Sequence, residues 1–261
     1  MGLPIVEINS SIRILEENGQ IRIEHHQLGP LVIDFIQDAA HYRRRNPLGK
    51  NDLLAKALGW SKGNRQVIDA TLGLAEDAVF MAQLGFVVTG IEQNPYLYRV
   101  LAQSLQQAKD WIQHASLIAT ASLAENHHEP VNTSEVLLNE PAVIKNQFQY
   151  LERLQWLNGD SIQLLPEIKD ADVIYLDPMF PEKKKSSLPR KEMQIFKSLI
   201  GEPQNEIQLL EVALSVAKDR VVVKRPLKGP AIGSEESKPK HRITHSFLGK
   251  AIRYDMYSVR G

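Results

Sequence analysis

Val173-Ile174-Tyr175-Leu176-Asp177-Pro178-Met179-Phe180-Pro181 is the stretch of this 261-residue chain that most directly predicts its fold. Four apolar residues, β-branched and aromatic among them, predict a buried strand, and the Asp-Pro that follows predicts an abrupt stop in a rigid turn. In open α/β sheets, ligands bind in the crevice beyond the carboxyl ends of the strands. The stretch therefore predicts an α/β sheet with a functional site at Asp177.

The turn after this strand carries groups suited to a flat amine. The Asp177 carboxylate and a backbone carbonyl held still by the two prolines can accept hydrogen bonds from an exocyclic NH2 group, and the Phe180 ring can stack on a base. The alternative is a strand-ending Asp-Pro turn with Phe180 folded back into the core. The turn by itself leaves both interpretations open.

Length and composition indicate a globular protein with one large α/β domain, or such a domain with an N-terminal appendage. Apolar residues make up 43% and charged residues 24% of the chain, which is ordinary for a globular protein. No apolar run approaches a bilayer span and the N-terminus has no signal-peptide pattern, so we expect a cytoplasmic protein. The absence of cysteine excludes disulfides, thiolate nucleophiles and cysteine-based zinc sites.

Charge is distributed unevenly along the chain, although the formal net charge is zero. From Pro181 onward there are 17 Lys and Arg residues against 9 Asp and Glu residues, an excess of +8 that residues 1–180 offset. A basic C-terminal third after a candidate amine-binding turn predicts a polyanionic partner. An ordinary solvated surface is the alternative.

A second motif predicts a nucleoside-binding βαβ unit. The pattern indicates a strand over 67–70, a helix over 78–84 and a strand over 86–91, with Gly73 in the first turn and Glu92 after the second strand. A small residue in the turn lets the backbone approach a ligand, and an acid about twenty positions later can hold ribose hydroxyls.

The first turn lacks the glycine-rich pattern that binds pyrophosphate, which disfavours NAD and favours a ligand with a ribose and no phosphates. S-Adenosylmethionine is such a ligand. Because its sulfonium is a cation, Asp69, Glu76 and Asp77 near the turn suit it better than they would suit a phosphate.

Residues 1–65 are predicted to form a small β-rich extension in front of a domain over 66–261. Alternating isoleucines flank Asn18-Gly19, the pattern of a β-hairpin, and a further strand is predicted over 31–35. Arg43 and Arg44 follow a His-Tyr pair, and they can bind phosphates while the aromatic ring stacks on a base. A polar helix end is the alternative for this segment.

The middle of the chain continues the alternation of strands and helices. A helix is predicted from Pro95 to about Trp111, followed by an acidic surface insertion over 113–150 that can be part helical. A strand over 154–157 then leads to Asp160 and Ser161. These two residues suit the amino group of adenine and also suit a helix N-cap, and the two roles are compatible.

The C-terminal third supplies most of the cations. A basic loop that contains Lys183 and Lys184 follows Phe180, where lysines would hold a nucleic-acid backbone. A helix is predicted over 206–218 and a buried strand, with Lys224 near its end, over 221–226. Residues 251–257 are predicted to form a last edge strand.

With these segments placed, the chain resembles the RsmJ family, bacterial methyltransferases of small-subunit ribosomal RNA. The resemblance covers about residues 31–257 and is carried chiefly by the Asp-Pro-Met-Phe-Pro run at 177–181 and the Val-Lys-Arg-Pro run at 223–226. Further similar segments lie at 41–44, 69–78, 84–85, 92–95, 183–186 and 191–193. Two residues depart from the family pattern, since Ala75 and Glu76 stand where Gly and Arg are usual.

This resemblance implies a Rossmann-like class I methyltransferase sheet that transfers a methyl group from S-adenosylmethionine to N2 of one guanosine near the 3′ end of 16S ribosomal RNA. The implied partner is 16S ribosomal RNA or the 30S ribosomal subunit. By position, the implied cofactor contacts are Glu76, Asp77, Glu92, Gln93, Asp160, Ser161 and Asp177.

For catalysis we expect Asp177 to accept a hydrogen bond from N2–H and Phe180 to stack on the guanine, without a metal. Phosphate contacts are expected from Arg43, Arg44, Lys183, Lys184 and Lys224. Two alternatives stay open: a DNA amino-methyltransferase acting on adenine N6 or cytosine N4, and a non-catalytic RNA-binding protein on the same fold.

Overall fold

A computed structural model describes residues 5–36, 52–125, 148–179, 190–200, 205–234 and 241–259. Five of the predicted site residues lie outside these ranges, as does most of the predicted insertion over 113–150. The five are Arg43, Arg44, Phe180, Lys183 and Lys184.

The N-terminal segment forms a small antiparallel sheet. Its strands, in the order β1-β2-β3-β4, are β1 (Ile5–Glu7), β2 (Ile12–Glu17), β3 (Gln20–His25) and β4 (Gly29–Pro30). The predicted hairpin joins β2 to β3, and Asn18 (φ 51°) and Gly19 (φ 77°) both take the positive φ that a tight two-residue turn requires. The hairpin prediction is confirmed.

The strand predicted over 31–35 is wrong, because pairing ends near Pro30. Leu31 still donates its backbone N–H to the Ile23 carbonyl at 2.8 Å, but Val32 is already exposed. The Asp34 side chain then accepts from the Ile36 N–H at 2.9 Å, which bends the chain into a helical turn.

The main sheet contains seven strands within the described residues. They are β5 (Gln66–Asp69), β6 (Val87–Glu92), β7 (Leu154–Asn158), β8 (Val173–Leu176), β9 (Arg220–Pro226), β10 (His245–Leu248) and β11 (Ile252–Ser258). Their order is β10-β11-β9-β8-β5-β6-β7, with β5 to β9 parallel and β11 antiparallel to both of its neighbours. The predicted Rossmann-like α/β sheet with an N-terminal β-rich segment is confirmed.

Helices cover both faces of this sheet, as two clusters of buried apolar side chains show. The helices are α1 (Leu53–Ala57), α2 (Glu76–Gln83), α3 (Pro95–Glu125), α4 (Ser161–Leu164), α5 (Lys191–Leu199) and α6 (Glu206–Val216). Short 3-10 turns lie at Trp60–Lys62, Gln149–Arg153 and Leu165–Glu167.

Two further predictions about helices and strands need correction. The helix α3 does not end near Trp111 but continues to Glu125, since residues 112–125 contain no glycine or proline. The strand β11 is not an edge strand, because β10 pairs along its other side. Residues 254–257 are buried without alternation, which is the burial pattern of an interior strand.

The small sheet packs against the main domain through α3. The Ile21 N–H donates to the Gln103 side-chain oxygen at 2.9 Å, and Arg99 pairs with Glu16 at 2.8 Å. The domain boundary predicted at residue 65 stays a prediction. The sheet order reverses at β5, with β6 on one side and β8 on the other, and a crevice opens at such a point beyond the carboxyl ends of the strands.

Candidate active site

A cleft of about 730 Å³ lies at the carboxyl ends of β5, β6, β8 and β9. Its size is within the range typical of pockets for drug-sized ligands. The cleft is lined by most of the described residues that were predicted from the sequence to bind the cofactor or to take part in catalysis. Lys224, which was predicted to bind RNA, lines it as well. Those lining residues are Glu76, Asp77, Glu92, Gln93, Ser161, Asp177 and Lys224.

Glu92 at the end of β6 is fixed by backbone groups from two segments. Its Oε2 accepts from the Gly73 N–H at 3.1 Å and its Oε1 accepts from the Asn94 N–H at 2.8 Å. Burial raises the pKa of Glu92 to about 7, although these hydrogen bonds favour the ionised form. Each carboxylate oxygen keeps a further lone pair, so the side chain can still accept from ribose hydroxyls.

Asp69 and Thr71 tie the first turn to the Asp-Pro turn. The buried Asp69 carboxylate accepts from the Thr71 N–H at 3.1 Å, and the Thr71 hydroxyl oxygen accepts from the Asp177 N–H at 2.6 Å. Burial raises the pKa of Asp69 to about 8. The sequence indicated Asp69 as an acid near the cofactor but gave no signal for the bridging hydroxyl of Thr71.

Lys224 on β9 lies between two carboxylates. Its Nζ is 2.6 Å from Asp77 Oδ2 and 2.8 Å from Asp177 Oδ2. The Tyr175 hydroxyl donates to the same Asp77 oxygen at 2.5 Å. Although burial alone would favour the neutral amine, the charges of the two aspartates raise the pKa of Lys224 well above its ordinary value. The expectation that Lys224 contacts RNA phosphates stays a prediction.

The helix α5 forms an apolar wall of the cleft that the sequence reasoning missed. Met193, Phe196 and Ile200 line the cleft from this segment. A Cβ added at Gly73 (φ 52°) would stand 3.2 Å from the Phe196 ring, so the first turn packs closely against the wall and glycine fits there. The spacing of these apolar residues, three and four positions apart, is the signal that could have predicted the helix.

The two departures from the family pattern have local structural consequences. Ala75 takes a left-handed conformation (φ 62°, ψ 13°) just before α2, which is a conformation that glycine adopts without strain. Glu76 pairs with Arg190, the residue in front of α5. The acid at the start of α2 thus has a cation beside it at the edge of the cleft.

Asp160 and Ser161 differ in what the structure shows. Asp160 caps α4 by accepting from the Ile162 N–H at 2.9 Å, and it is not among the residues that line the cleft. Ser161 lines the cleft, is buried, and donates its hydroxyl to the Ala70 carbonyl at 2.6 Å. The N-cap interpretation of Asp160 is confirmed, and the adenine contacts of both residues stay predictions.

The described ranges hold neither a cluster of metal ligands nor a membrane-spanning helix. There, His, Asp and Glu side chains nowhere gather in a group of three or more that could hold a metal ion. Among the described helices, none is both long and apolar enough to cross a bilayer.

The lining of the cleft fits S-adenosylmethionine. Four acids line it, from the end of β5, the start of α2 and the end of β6. Lys224 and Arg190 offset the charges of two of them, and burial keeps Asp69 mostly protonated at neutral pH, but carboxyl groups at these places still suit a cationic sulfonium better than phosphates. The glycine at position 73 lets the backbone of the first turn come close to a bound nucleoside. The buried Glu92 supplies the acceptor for its ribose hydroxyls. The four acids are Asp69, Glu76, Asp77 and Glu92.

Comparisons with known proteins agree with this chemistry. A family model described as "Putative SAM-dependent methyltransferase" matches residues 5–145 and 138–259. A crystal structure of a SAM-dependent methyltransferase from Neisseria gonorrhoeae superposes with a TM-score of 0.62 at 27% identity, covering 99% of this chain and 87% of that one.

Curated relatives named ribosomal RNA small subunit methyltransferase J are similar over most of the chain. The relative from Marinobacter nauticus is 38% identical, over 89% of this chain and 71% of its own length. That from Bdellovibrio bacteriovorus is 35% identical, over 88% and 74%. That from Pseudomonas fluorescens is 33% identical, over 98% and 86%. The chain therefore belongs to the ribosomal RNA small subunit methyltransferase J family of S-adenosylmethionine-dependent methyltransferases.

Proposed function

We propose that this protein methylates N2 of a specific guanosine in 16S ribosomal RNA. The observation that carries the proposal is the position of Asp177, a carboxylate at the mouth of an acidic nucleoside cleft. Its side chain is 34% exposed, enough for contact with a base, while its backbone is fixed to the first turn through Thr71. The guanine N2 group is an amine whose N–H suits such an acceptor.

In this proposal the side chains of the protein mainly bind the cofactor and align the guanine amine with it. When bound, S-adenosylmethionine supplies an already activated methyl group. Glu92 accepts from the ribose hydroxyls, and the carboxylates of Asp77 and Glu76, each paired with a cation of the protein, lie on the side of the cleft where the sulfonium binds. The α5 wall, with Phe196 against Gly73, excludes water from the same region.

Asp177 acts on the second substrate. Its carboxylate accepts a hydrogen bond from N2–H and turns the nitrogen lone pair toward the methyl group, which is the alignment that an in-line transfer needs. Burial raises the pKa of Asp177 to about 6, against the opposing charge of Lys224, so the carboxylate is mostly ionised at neutral pH. Phe180 stacks on the guanine in this proposal.

The RNA partner is held by four of the five cations that the sequence indicated. Arg43, Arg44, Lys183 and Lys184 contact phosphates, and the substrate is 16S ribosomal RNA, free or within the 30S subunit. Because that substrate is made and assembled in the cytoplasm, we place the protein there. The relatives named for small-subunit ribosomal RNA support this proposal.

The test is transfer of radiolabelled methyl from S-adenosylmethionine to three acceptors: 30S subunits, bare 16S ribosomal RNA, and duplex DNA. The RNA preparations come from a strain that lacks this enzyme. Label in RNA, recovered as N2-methylguanosine, supports the proposal, and the better RNA acceptor shows when in assembly the protein acts. Label in DNA alone supports the DNA amino-methyltransferase. Cofactor binding without label in any acceptor supports a non-catalytic RNA-binding protein.

A further inference from the structure

The Lys224 ammonium contacts Asp177 inside the cleft and does not extend from the surface as a phosphate-binding cation would. Its side chain is 23% exposed and reaches two carboxylates that come from different elements, Asp77 at the start of α2 and Asp177 after β8. A cation that binds RNA phosphates needs to present its ammonium to the surface. This ammonium is directed into the cleft instead.

Asp77 is held in turn by Tyr175. The buried tyrosine donates its hydroxyl to the same Asp77 oxygen that accepts from Lys224. Burial and the neighbouring carboxylates raise the pKa of Tyr175 well above its ordinary value, so the hydroxyl stays a donor. The chain of contacts Tyr175–Asp77–Lys224–Asp177 therefore has fixed donors and acceptors at each step.

The groups around Asp177 show how Lys224 contributes to the pKa of this carboxylate. Burial and the charge of Asp77 raise the pKa of Asp177, whereas Lys224 and Arg225 lower it. Without the ammonium, the opposing effects of burial and Asp77 would be left largely unbalanced. The titratable and charged groups packed around the carboxylate are Asp69 on β5, Asp77 on α2, Tyr175 on β8, and Lys224 and Arg225 on β9, with Glu206 of α6 paired to Arg225.

We infer that Lys224 is a positioning residue that orients the Asp177 carboxylate and keeps it ionised for the methyl transfer. The ammonium holds Oδ2 of Asp177, which leaves the other oxygen for the amine of the base. This inference rests on the proposed function, since it assigns Lys224 a role in the reaction for which Asp177 is the amine acceptor.

The experiment compares Lys224→Met with wild type and with Lys62→Met, an exposed lysine before β5, at the end of the sheet opposite the cleft. Methyl transfer to the RNA acceptor is measured with saturating cofactor from about pH 5.5 to about pH 9. In Lys224→Met we expect the acid limb of the kcat profile to move up by about one pH unit or more, and kcat at neutral pH to fall about tenfold or more. The KM for RNA stays within about threefold.

A phosphate contact would behave differently. It would leave the acid limb in place, raise the KM for RNA and reduce the salt slope of RNA binding by about one, and that result would overturn the inference. Lys224→Arg keeps a cation between the aspartates and should retain the wild-type limb; loss of that limb in this variant would also count against the inference.

Two further variants keep the outcome interpretable. If Lys224→Met does not fold, Lys224→Gln keeps a polar side chain between the two aspartates without the charge, and an acid limb equal to that of wild type in this variant would still overturn the inference. Asp177→Ala, which removes the proposed acceptor, separates the two proposals. If it is inactive while Lys224→Met has a wild-type profile, only the role of Lys224 fails. If wild type itself yields no methylated guanosine, the proposed function fails.

Discussion

The backbone N–H of Gly73 donates a hydrogen bond to Oε2 of Glu92 at 3.1 Å, across 19 residues of sequence. This contact joins the turn after β5 to the end of β6, the two places where a nucleoside meets an α/β sheet. The carboxylate that accepts from the ribose is held by the same backbone that approaches the ligand.

The acids in this part of the cleft predict that the relative affinity for S-adenosylmethionine and S-adenosylhomocysteine depends on pH. Burial raises the pKa of Glu92 to about 7 and that of Asp69 to about 8, so both acids gain negative charge as the pH rises through this range. S-Adenosylmethionine carries a positive sulfonium and S-adenosylhomocysteine does not. The affinity ratio of the two should therefore increase in favour of S-adenosylmethionine by roughly 3- to 10-fold from about pH 6 to about pH 8.5.

Calorimetric titration of both ligands at several pH values measures this ratio. Ribose contacts are common to both ligands and cancel. Asp69→Asn removes one of the two titrating groups and should flatten the dependence. A ratio that does not change with pH would mean that these acids do not interact with the sulfonium.

The left-handed conformation of Ala75 predicts an unusual order of substitutions. Ala75→Val places a β-branched side chain at φ 62° and should lower the free energy of unfolding by about 2 kcal/mol or more. Ala75→Gly relieves the strain but loses a buried methyl group and gains unfolded-state freedom, so its effect should stay within about 1 kcal/mol. Chemical denaturation followed by circular dichroism checks both values. Equal destabilisation by the two substitutions would contradict the strain.

Arg253 predicts a large effect on stability from a residue that is not among those lining the cleft. It pairs with the fully buried Asp255, and its Nη1 donates to the carbonyls of Pro226, Leu227 and Gly229 at 2.8 to 2.9 Å. Arg253→Met leaves the Asp255 charge buried without this partner and should lower the free energy of unfolding by about 3 kcal/mol.

Two variants control for this prediction. Arg22→Met removes an exposed arginine and should change the free energy of unfolding by less than about 0.5 kcal/mol. Adding Asp255→Asn to Arg253→Met should restore part of the loss, because the uncompensated charge is then gone. No recovery in the double variant would show that the contacts to the 226–229 loop, and not the buried charge, dominate.

Local sequence patterns predicted the elements that depend on local chemistry. The turn at Asn18-Gly19, the strand before Asp177 and the βαβ unit ending at Glu92 all follow from periodicity and turn residues, and the structure confirms each of them. The grouping of Glu76, Asp77, Glu92 and Asp177 in one cleft also follows, because parallel strands bring their carboxyl ends together.

The remaining features depend on partners distant in sequence. The order of β10 and β11 in the sheet depends on which strands pair with each other. The buried residues 254–257 show that β11 is covered on both faces, but they do not identify the strand that pairs with it. The bridge from Thr71 to Asp177 spans 106 residues, and that from Lys224 to Asp77 spans 147. A lysine near the end of a strand has the same local pattern whether it meets a phosphate or a carboxylate.

Nucleoside analysis of 16S ribosomal RNA from a strain that lacks this enzyme tests the central claim most directly. The strain is complemented with wild type or with Asp177→Ala, which removes both oxygens that could accept from the base. We expect wild type to restore N2-methylguanosine at one position and Asp177→Ala to leave that guanosine unmodified, while the purified variant still binds S-adenosylmethionine. Restoration of the modification by Asp177→Ala, or its absence with wild type, would contradict the account.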